Sequence, residues 1–444
     1  MRRAAALVAP AVAAVLLPFA LDWRSPALAS LRPMALAALV LLPLGVMAVA
    51  IATWRRSPRA IAAAGVLAVG LALADLAATL AHEVRFQLQR HRVGKADPQE
   101  LAALGSHVIV GYRDVGELRE LIQRRAIGGI FVTTRNVRDR SAAEIGAELR
   151  SLQDERRRQG LVPLWIAADQ EGGTVSRLSP PLEPLPALNE IVARHPDPAE
   201  RRRAVQAFAE GQGRGLAALG VNLNFAPVVD LDHGPASPGD RYTRIHERAI
   251  AADAEVVADV ATTYCAELRA HGVHCTLKHF PGLGRVAADT HRTGAGLDVP
   301  LSELATSDWI PFRRLMASAT AFTMVGHARL TALDPVYPAS FSPAVIGGLM
   351  RGDWGYDGIL VTDDVTMGAV YRSPAGIGGG SVAALNAGVD LVLVSFDTDQ
   401  FYPVMDALVA ARRDGRLIAT MLQRSARRLA AVASGPAAER AIVP

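Results

Sequence analysis

From His107 onward, eight short apolar runs alternate with amphipathic stretches, and this alternation limits the fold more than any other property of the 444-residue chain. The runs are His107–Tyr112, Gly129–Thr134, Leu164–Asp169, Val221–Val228, Val273–Phe280, Phe322–His327, Gly358–Asp363 and Val389–Ser395. They are β-branched and almost continuously apolar, as strands covered on both faces should be. Helical spacing lies between them at Glu117–Arg125, Arg201–Leu219, Ala254–His271 and Ser381–Ala387. Eight βα units predict an α/β fold, a (β/α)8 barrel of the TIM type with inserted loops. A doubly wound sheet is the alternative, because closure is not written in a sequence. Beyond the last run the chain reads mostly as one helix, Tyr402–Ala433, which leaves no room for a second catalytic domain. Any active site is therefore expected to be completed by the barrel's own loops.

The segment before the barrel has another character. Three apolar runs, Ala4–Leu21, Met34–Thr53 and Ile61–Ala81, each approach the ~20 residues that cross a hydrocarbon core as a helix. Three long uncharged helices with no polar face suit a bilayer better than a soluble core. The expected organisation is a transmembrane segment at 1–84, a linker at 85–105, a catalytic barrel at 106–434 and a tail at 435–444. Asp75, inside the third run, is read as facing a neighbouring helix or lying near the boundary, with a functional intramembrane acid as the alternative. Arg2, Arg3 and the Arg55–Arg59 cluster favour the cytoplasm, so three crossings leave the barrel on the extracytoplasmic side of a bacterial inner membrane. Cleavage of the first run as a signal peptide at Ala27-Leu28-Ala29 gives the same side. Arg85, Arg90, Arg92 and Lys95 pull the other way.

Charge adds one exclusion. The formal net charge of +4 comes from the first 84 residues, and the remainder is neutral, so nothing suggests a nucleic-acid partner. Cys265 and Cys275 are expected as buried thiols; a disulfide is not deducible from their placement.

Polar residues gather where the strands end, which is where barrel chemistry collects. Strand three ends in Asp169-Gln170-Glu171-Gly172-Gly173, strand five in Lys278-His279-Phe280-Pro281-Gly282, strand six in Gly326-His327 and strand seven in Thr362-Asp363-Asp364. Asp289-Thr290-His291 lies between strands five and six. Any one of these alone reads as a helix cap or a brace; together they read as a site. Gly282-Leu283-Gly284-Arg285-Val286-Ala287 imitates a dinucleotide fingerprint, but Pro281 precedes it and no helix comes after it, so it reads as a flexible loop. Gly376–Gly380 likewise reads as a plain loop rather than a phosphate cradle.

Lys278-His279-Phe280-Pro281-Gly282-Leu283-Gly284 followed by Asp289-Thr290-His291 resembles the signature of glycoside hydrolase family three, and more narrowly its single-domain bacterial β-N-acetylhexosaminidases. Asp169–Leu178, Phe225–Asp230, Arg248–Val257, Pro338–Ser342 and Gly355–Met367 match as well. The resemblance implies that Asp363 is the nucleophile, with Asp364 the weaker candidate, and that Asp289 and His291 form the acid/base dyad. It places Asp169, Arg177, Lys278 and His279 on the sugar hydroxyls. Arg248 joins them in preference to Arg241, although extra residues around Ser237–His246 blur that match. It implies no metal and no cofactor, and a glycan containing N-acetylglucosamine, from cell wall or muropeptide, as substrate. Thr174 and Leu283 stand where the family often has Arg and His, which bears on substrate fit.

The chemistry is coherent by itself, since a retaining glycosidase pairs a carboxylate with a proton donor ~5–5.5 Å away across the glycosidic bond. A sugar-binding protein without turnover, a β-glycosidase of other specificity and a metal-dependent barrel hydrolase are the competing readings. The last needs histidines at the end of strand one, where Val110-Gly111-Tyr112-Arg113-Asp114 stands instead.

Overall fold

The structure is a computed structural model that describes residues 2–54, 59–235, 243–317 and 321–433. The chain divides into two compact units, 1–95 and 96–444. Arg55, Arg56, Arg241, part of the Ser237–His246 stretch and the expected tail at 435–444 lie outside the described residues.

The first unit is three helices, α1 (Arg2–Leu21), α2 (Arg32–Trp54) and α3 (Arg59–Gly94). Each expected apolar run forms one, but among the described residues only Arg32–Thr53 and Ala62–Gly94 are long and apolar enough to cross a bilayer. Among the described residues the apolar part of α1 is the shorter stretch Val8–Leu21. Small residues pack between the helices, with Ala9, Ala13, Ala50, Ala68 and Ala72 buried together with Val46. Leu41, Leu67 and Leu80 face outward. Asp75 is fully buried, and neither carboxylate oxygen has a hydrogen-bond partner among the described residues. Glu83 accepts from Trp23 Nε1 at 3.3 Å and pairs with Arg24. The stretch expected as a linker is occupied by the end of α3 and by α4 (Pro98–Gly105), which Asp97 caps through the amides of Gln99 and Glu100.

The second unit is a closed barrel of eight parallel strands: β1 (Val108–Gly111), β2 (Gly129–Val132), β3 (Trp165–Ala168), β4 (Leu223–Asn224), β5 (His274–Phe280), β6 (Phe322–Val325), β7 (Leu360–Asp364) and β8 (Leu391–Val394). Each pairs with its neighbours in sequence, and β1 closes on β8 through Val108–Val110 against Val392–Val394. The connecting helices include α5 (Val115–Gln123), α6 (Ala142–Arg158), α7 (Pro198–Leu219), α8 (Ala254–Ala270), α9 (Ile310–Met316), the π-helical α10 (Ala344–Asp353) and α11 (Gly376–Ala387). Ile109, Phe131, Trp165, Leu223, Phe322, Met324, Val361 and Leu391 point inward and fill the barrel, so it is a packed core and not a pore.

Four local expectations change. The run Val221–Val228 yields a strand only at Leu223–Asn224, because Pro227 has no N–H to continue the ladder; pairing resumes at a single bridge between Val228 and Lys278. Gly376–Gly380 is not a loop but the first turns of α11, where Gly380 lies against the Phe341 ring with no room for a Cβ. The single helix expected over Tyr402–Ala433 is two, α12 (Phe401–Arg413) and α13 (Ala419–Ala433), broken at Gly415 with φ of +69°. The break lets α13 close the bottom of the barrel, where Leu429 joins the interior cluster and Arg428 Nε donates to Asp390 at 2.9 Å. Cys265 on α8 and Cys275 on β5, expected as thiols, form a disulfide, since the helix lies against the next strand and their Cα atoms are 5.3 Å apart.

Candidate active site

Strand seven ends in two adjacent carboxylates, and the backbone gives them opposite surroundings. Asp364 is buried and saturated: Oδ1 accepts from the amides of Thr366 at 2.9 Å and Ser395 at 3.2 Å, while Oδ2 accepts from Ser395 Oγ at 2.6 Å and the amide of Phe396 at 2.9 Å. It ties β7 to the end of β8. Asp363 accepts one hydrogen bond among the described residues, from the amide of Asp364 at 2.8 Å. Burial pushes its carboxyl up, but His279, His327, His291 and the Asp364 amide outweigh that and hold it below the ordinary aspartate value. Asp363 is thus an ionised carboxylate with oxygens left to react.

The loop after β5 carries Asp289 and His291, the pair expected as the dyad. Asp289 Oδ1 accepts from the His291 amide at 2.9 Å and lies 3.0 Å from His291 Nδ1. Burial raises the Asp289 carboxyl, and the bonds from His291 and Thr243 bring it below the ordinary value. An ionised carboxylate only accepts, so the proton of the neutral ring sits on Nδ1, and Nε2 is the nitrogen able to take up a second one. The imidazole is 41% exposed. The loop is docked over the segment just after Asp363: the Gly368 amide donates to the His291 carbonyl at 2.8 Å and the Ala369 amide to the Thr290 carbonyl at 3.2 Å.

A second cluster sits on β3 and β5. Lys278 Nζ lies 2.8 Å from Asp169 Oδ1 and 2.6 Å from Glu171 Oε1, and Arg248 grips Glu171 with Nε at 3.0 Å and Nη2 at 2.6 Å. Burial raises Glu171, yet Arg248 and Lys278 together hold its carboxyl down at about 2. Burial lowers Lys278, and Asp169 and Glu171 bring it back above the ordinary lysine value. Asp169 keeps part of its surface open at the mouth. His279 is fixed by Asp230, whose Oδ2 is 2.7 Å from Nδ1 and whose carboxylate also accepts the amides of His279 and Leu283. His327, fully buried, lies 2.8 Å from Ser340 Oγ and 3.1 Å from the Asp364 carbonyl; burial lowers its pKa below the ordinary histidine value, against the pull of Asp363 and Asp364.

The structure therefore brings Asp363, Asp289, His291, Asp169, Arg248, Lys278 and His279 to one end of the barrel. Arg177 reaches it by backbone, its amide donating to the Asp169 carbonyl at 3.0 Å, while its side chain is exposed and unpaired among the described residues. Four groups that hold the site together were not singled out from sequence. Glu171 and His327 stand inside the quoted strand-end motifs and Asp230 inside a matched segment, so a buried acid or imidazole beside a named ligand was the available signal. Thr243 had none.

Acids and imidazoles that converge from several strand ends on one barrel mouth are the equipment of a barrel enzyme. Residues 88–432 match the family model described as the glycosyl hydrolase family 3 N terminal domain; the chain belongs to that family and is a glycoside hydrolase. It is 32% identical over 344 residues to the β-hexosaminidase LpqI of Mycobacterium tuberculosis, covering 75% of this chain and 82% of that one. A β-hexosaminidase of Xanthomonas euvesicatoria is 34% identical over 278 residues, covering 62% and 78%. Among solved structures, a family 3 β-N-acetylglucosaminidase from a Paenibacillus species superposes with a TM-score of 0.69 at 33% identity, over 75% of this chain and 61% of that one. M. tuberculosis LpqI superposes with a TM-score of 0.66 at 32% identity, over 76% and 93%.

Proposed function

We propose that the protein is a membrane-tethered retaining β-N-acetylglucosaminidase acting on cell-wall glycans or muropeptides. One observation carries the reading: Asp363 is the acid at the end of β7 left free to react, and the loop docked beside it presents a carboxylate-backed imidazole. In the first half-reaction an Asp363 oxygen attacks the anomeric carbon and the bond to the leaving oxygen breaks, while His291 gives that oxygen a proton. In the second, His291 takes a proton from water, water attacks the same carbon, and the Asp363 ester bond breaks. Asp289 holds the ring and supports its charged form. Asp169, Arg177, Arg248, Lys278 and His279 bind the sugar hydroxyls, with Lys278 and Arg248 donating and Asp169 accepting. The names of the relatives, β-hexosaminidase and β-N-acetylglucosaminidase, support the choice of sugar.

The 1–84 segment spans the bilayer, through α2 and α3 and with α1 as a third crossing or a signal sequence, and the barrel is extracytoplasmic. The apolar outward faces of the helices and their small-residue interior support insertion. The Cys265–Cys275 disulfide supports an oxidising compartment for the barrel.

The test is turnover of an aryl β-N-acetylglucosaminide. Wild type is expected to hydrolyse it, Asp363→Asn to fall to background, and His291→Ala to lose ~10²–10⁴-fold. A sugar trapped covalently on Asp363 identifies the nucleophile by mass spectrometry. Undiminished turnover in Asp363→Asn overturns the assignment.

A further inference from the structure

The dyad and the sugar-binding cluster are joined through one residue that neither contains. Thr243 is buried, and its Oγ1 donates to Asp289 Oδ1 at 3.1 Å while lying 3.4 Å from His291 Nδ1. Its carbonyl accepts from Arg248 Nη1 at 2.8 Å. Arg248 in turn holds Glu171, which pairs with Lys278, which pairs with Asp169. An unbroken chain of hydrogen bonds and ion pairs thus runs from the sugar-hydroxyl acceptor to the imidazole.

The chemistry at Thr243 has one consistent proton arrangement. Asp289 accepts, so the threonine hydroxyl must donate to it, and the hydroxyl oxygen can then accept from Nδ1–H. Both neighbours of the ring therefore favour the tautomer that leaves Nε2 for proton exchange. The dependence is sharpened because Asp289 Oδ2 is buried with no hydrogen-bond partner among the described residues, so that among them Oδ1 carries the bonds that orient the carboxylate.

We propose that Thr243 is a positioning residue that couples the occupied sugar site to the acid/base loop, so that His291 is aimed when Arg248 and its partners are in place. The proposal rests on the reading of His291 as acid/base. Loss of the hydroxyl then weakens proton transfer without removing the proton carrier.

The test compares wild type, Thr243→Val and Thr243→Ser on two β-N-acetylglucosaminides, one with a 2,4-dinitrophenyl and one with an alkyl leaving group. A dinitrophenolate leaves without a proton, so its kcat/KM is expected to stay within about twofold in Thr243→Val, whereas the alkyl glycoside loses about ten- to a hundredfold. For the dinitrophenyl substrate kcat and KM are expected to fall together, because the water step still needs the base. Thr243→Ser, which keeps the hydroxyl, restores wild-type values. Equal losses on both substrates, no loss on either, or a serine variant as impaired as the valine one overturns the coupling. Thr243→Ala carries the same comparison if the valine variant does not fold. Wild-type turnover that persists in Asp363→Asn instead overturns the glycosidase reading beneath it.

Discussion

At the scale of single residues, the site is a matter of which charges are spent on neighbours. Asp364 and Asp363 share a strand end, and among the described residues Asp364 is consumed by four donors while Asp363 takes one. Asp364→Asn is therefore expected to act through structure, with thermal unfolding lowered because the carboxylate joins β7 to the end of β8. Asp363→Asn is expected to abolish turnover with unfolding little changed; circular dichroism melts beside an activity assay separate the two. Glu171 is the other informative acid. Its carboxyl is held at about 2, against an ordinary 4.5, by Arg248 and Lys278 despite burial. A depressed pKa stabilises the fold fully above pH 4.5 and loses that contribution as pH falls toward 2. The gap in unfolding temperature between wild type and Glu171→Gln should thus be largest at neutral pH and narrow across that window. Removing one member of a buried ion cluster commonly costs ~3–5 kcal/mol, because its partners are left uncompensated.

At the scale of elements, the loop that carries Asp289 and His291 is set by a close backbone approach. A Cβ on Gly368 would stand 2.3 Å from the Arg292 carbonyl oxygen and 2.8 Å from that of His291, with backbone on both sides. Gly368→Ala must therefore lift the loop from the segment after β7, and kcat is expected to fall at least about tenfold while the barrel stays folded. Stopped assays with a melting curve decide it; full activity would show that the docking is dispensable. The disulfide acts elsewhere, fastening α8 to β5 across ten residues of sequence. By loop-closure entropy it contributes ~3 kcal/mol, so a reducing agent should lower the unfolding temperature of wild type and leave a Cys265→Ala, Cys275→Ala variant unchanged.

At the scale of the whole molecule, the two units answer to different solvents. The helical unit turns leucines such as Leu41, Leu67 and Leu80 outward and packs alanines inside, whereas the barrel buries its large side chains and closes its own edges. The full chain is expected to stay with the membrane fraction after an alkaline carbonate wash and to leave it only with detergent. Release by carbonate would show that α2 and α3 do not anchor it. Reporter fusions after position 95 decide the side.

Sequence alone determined the eight βα units, the apolar segment before them and the strand ends on which acids and imidazoles stand, because these depend on local periodicity and on the rule that barrel chemistry sits where strands finish. It misplaced the features that depend on partners far along the chain. Gly376–Gly380 reads as a loop until Phe341 is packed against it, one helix reads across Gly415 until α13 is needed beneath the barrel, and two cysteines read as thiols until a helix meets its strand. The choice of Asp363 over Asp364 rested on resemblance; the fold supplies a physical ground, by delivering the donors of Ser395 and Phe396 to one and not the other. Thr243 and Glu171 belong to the same class. Their importance is an electrostatic and hydrogen-bonding relation between β3, β5 and two loops, and such a relation exists only once the barrel has closed.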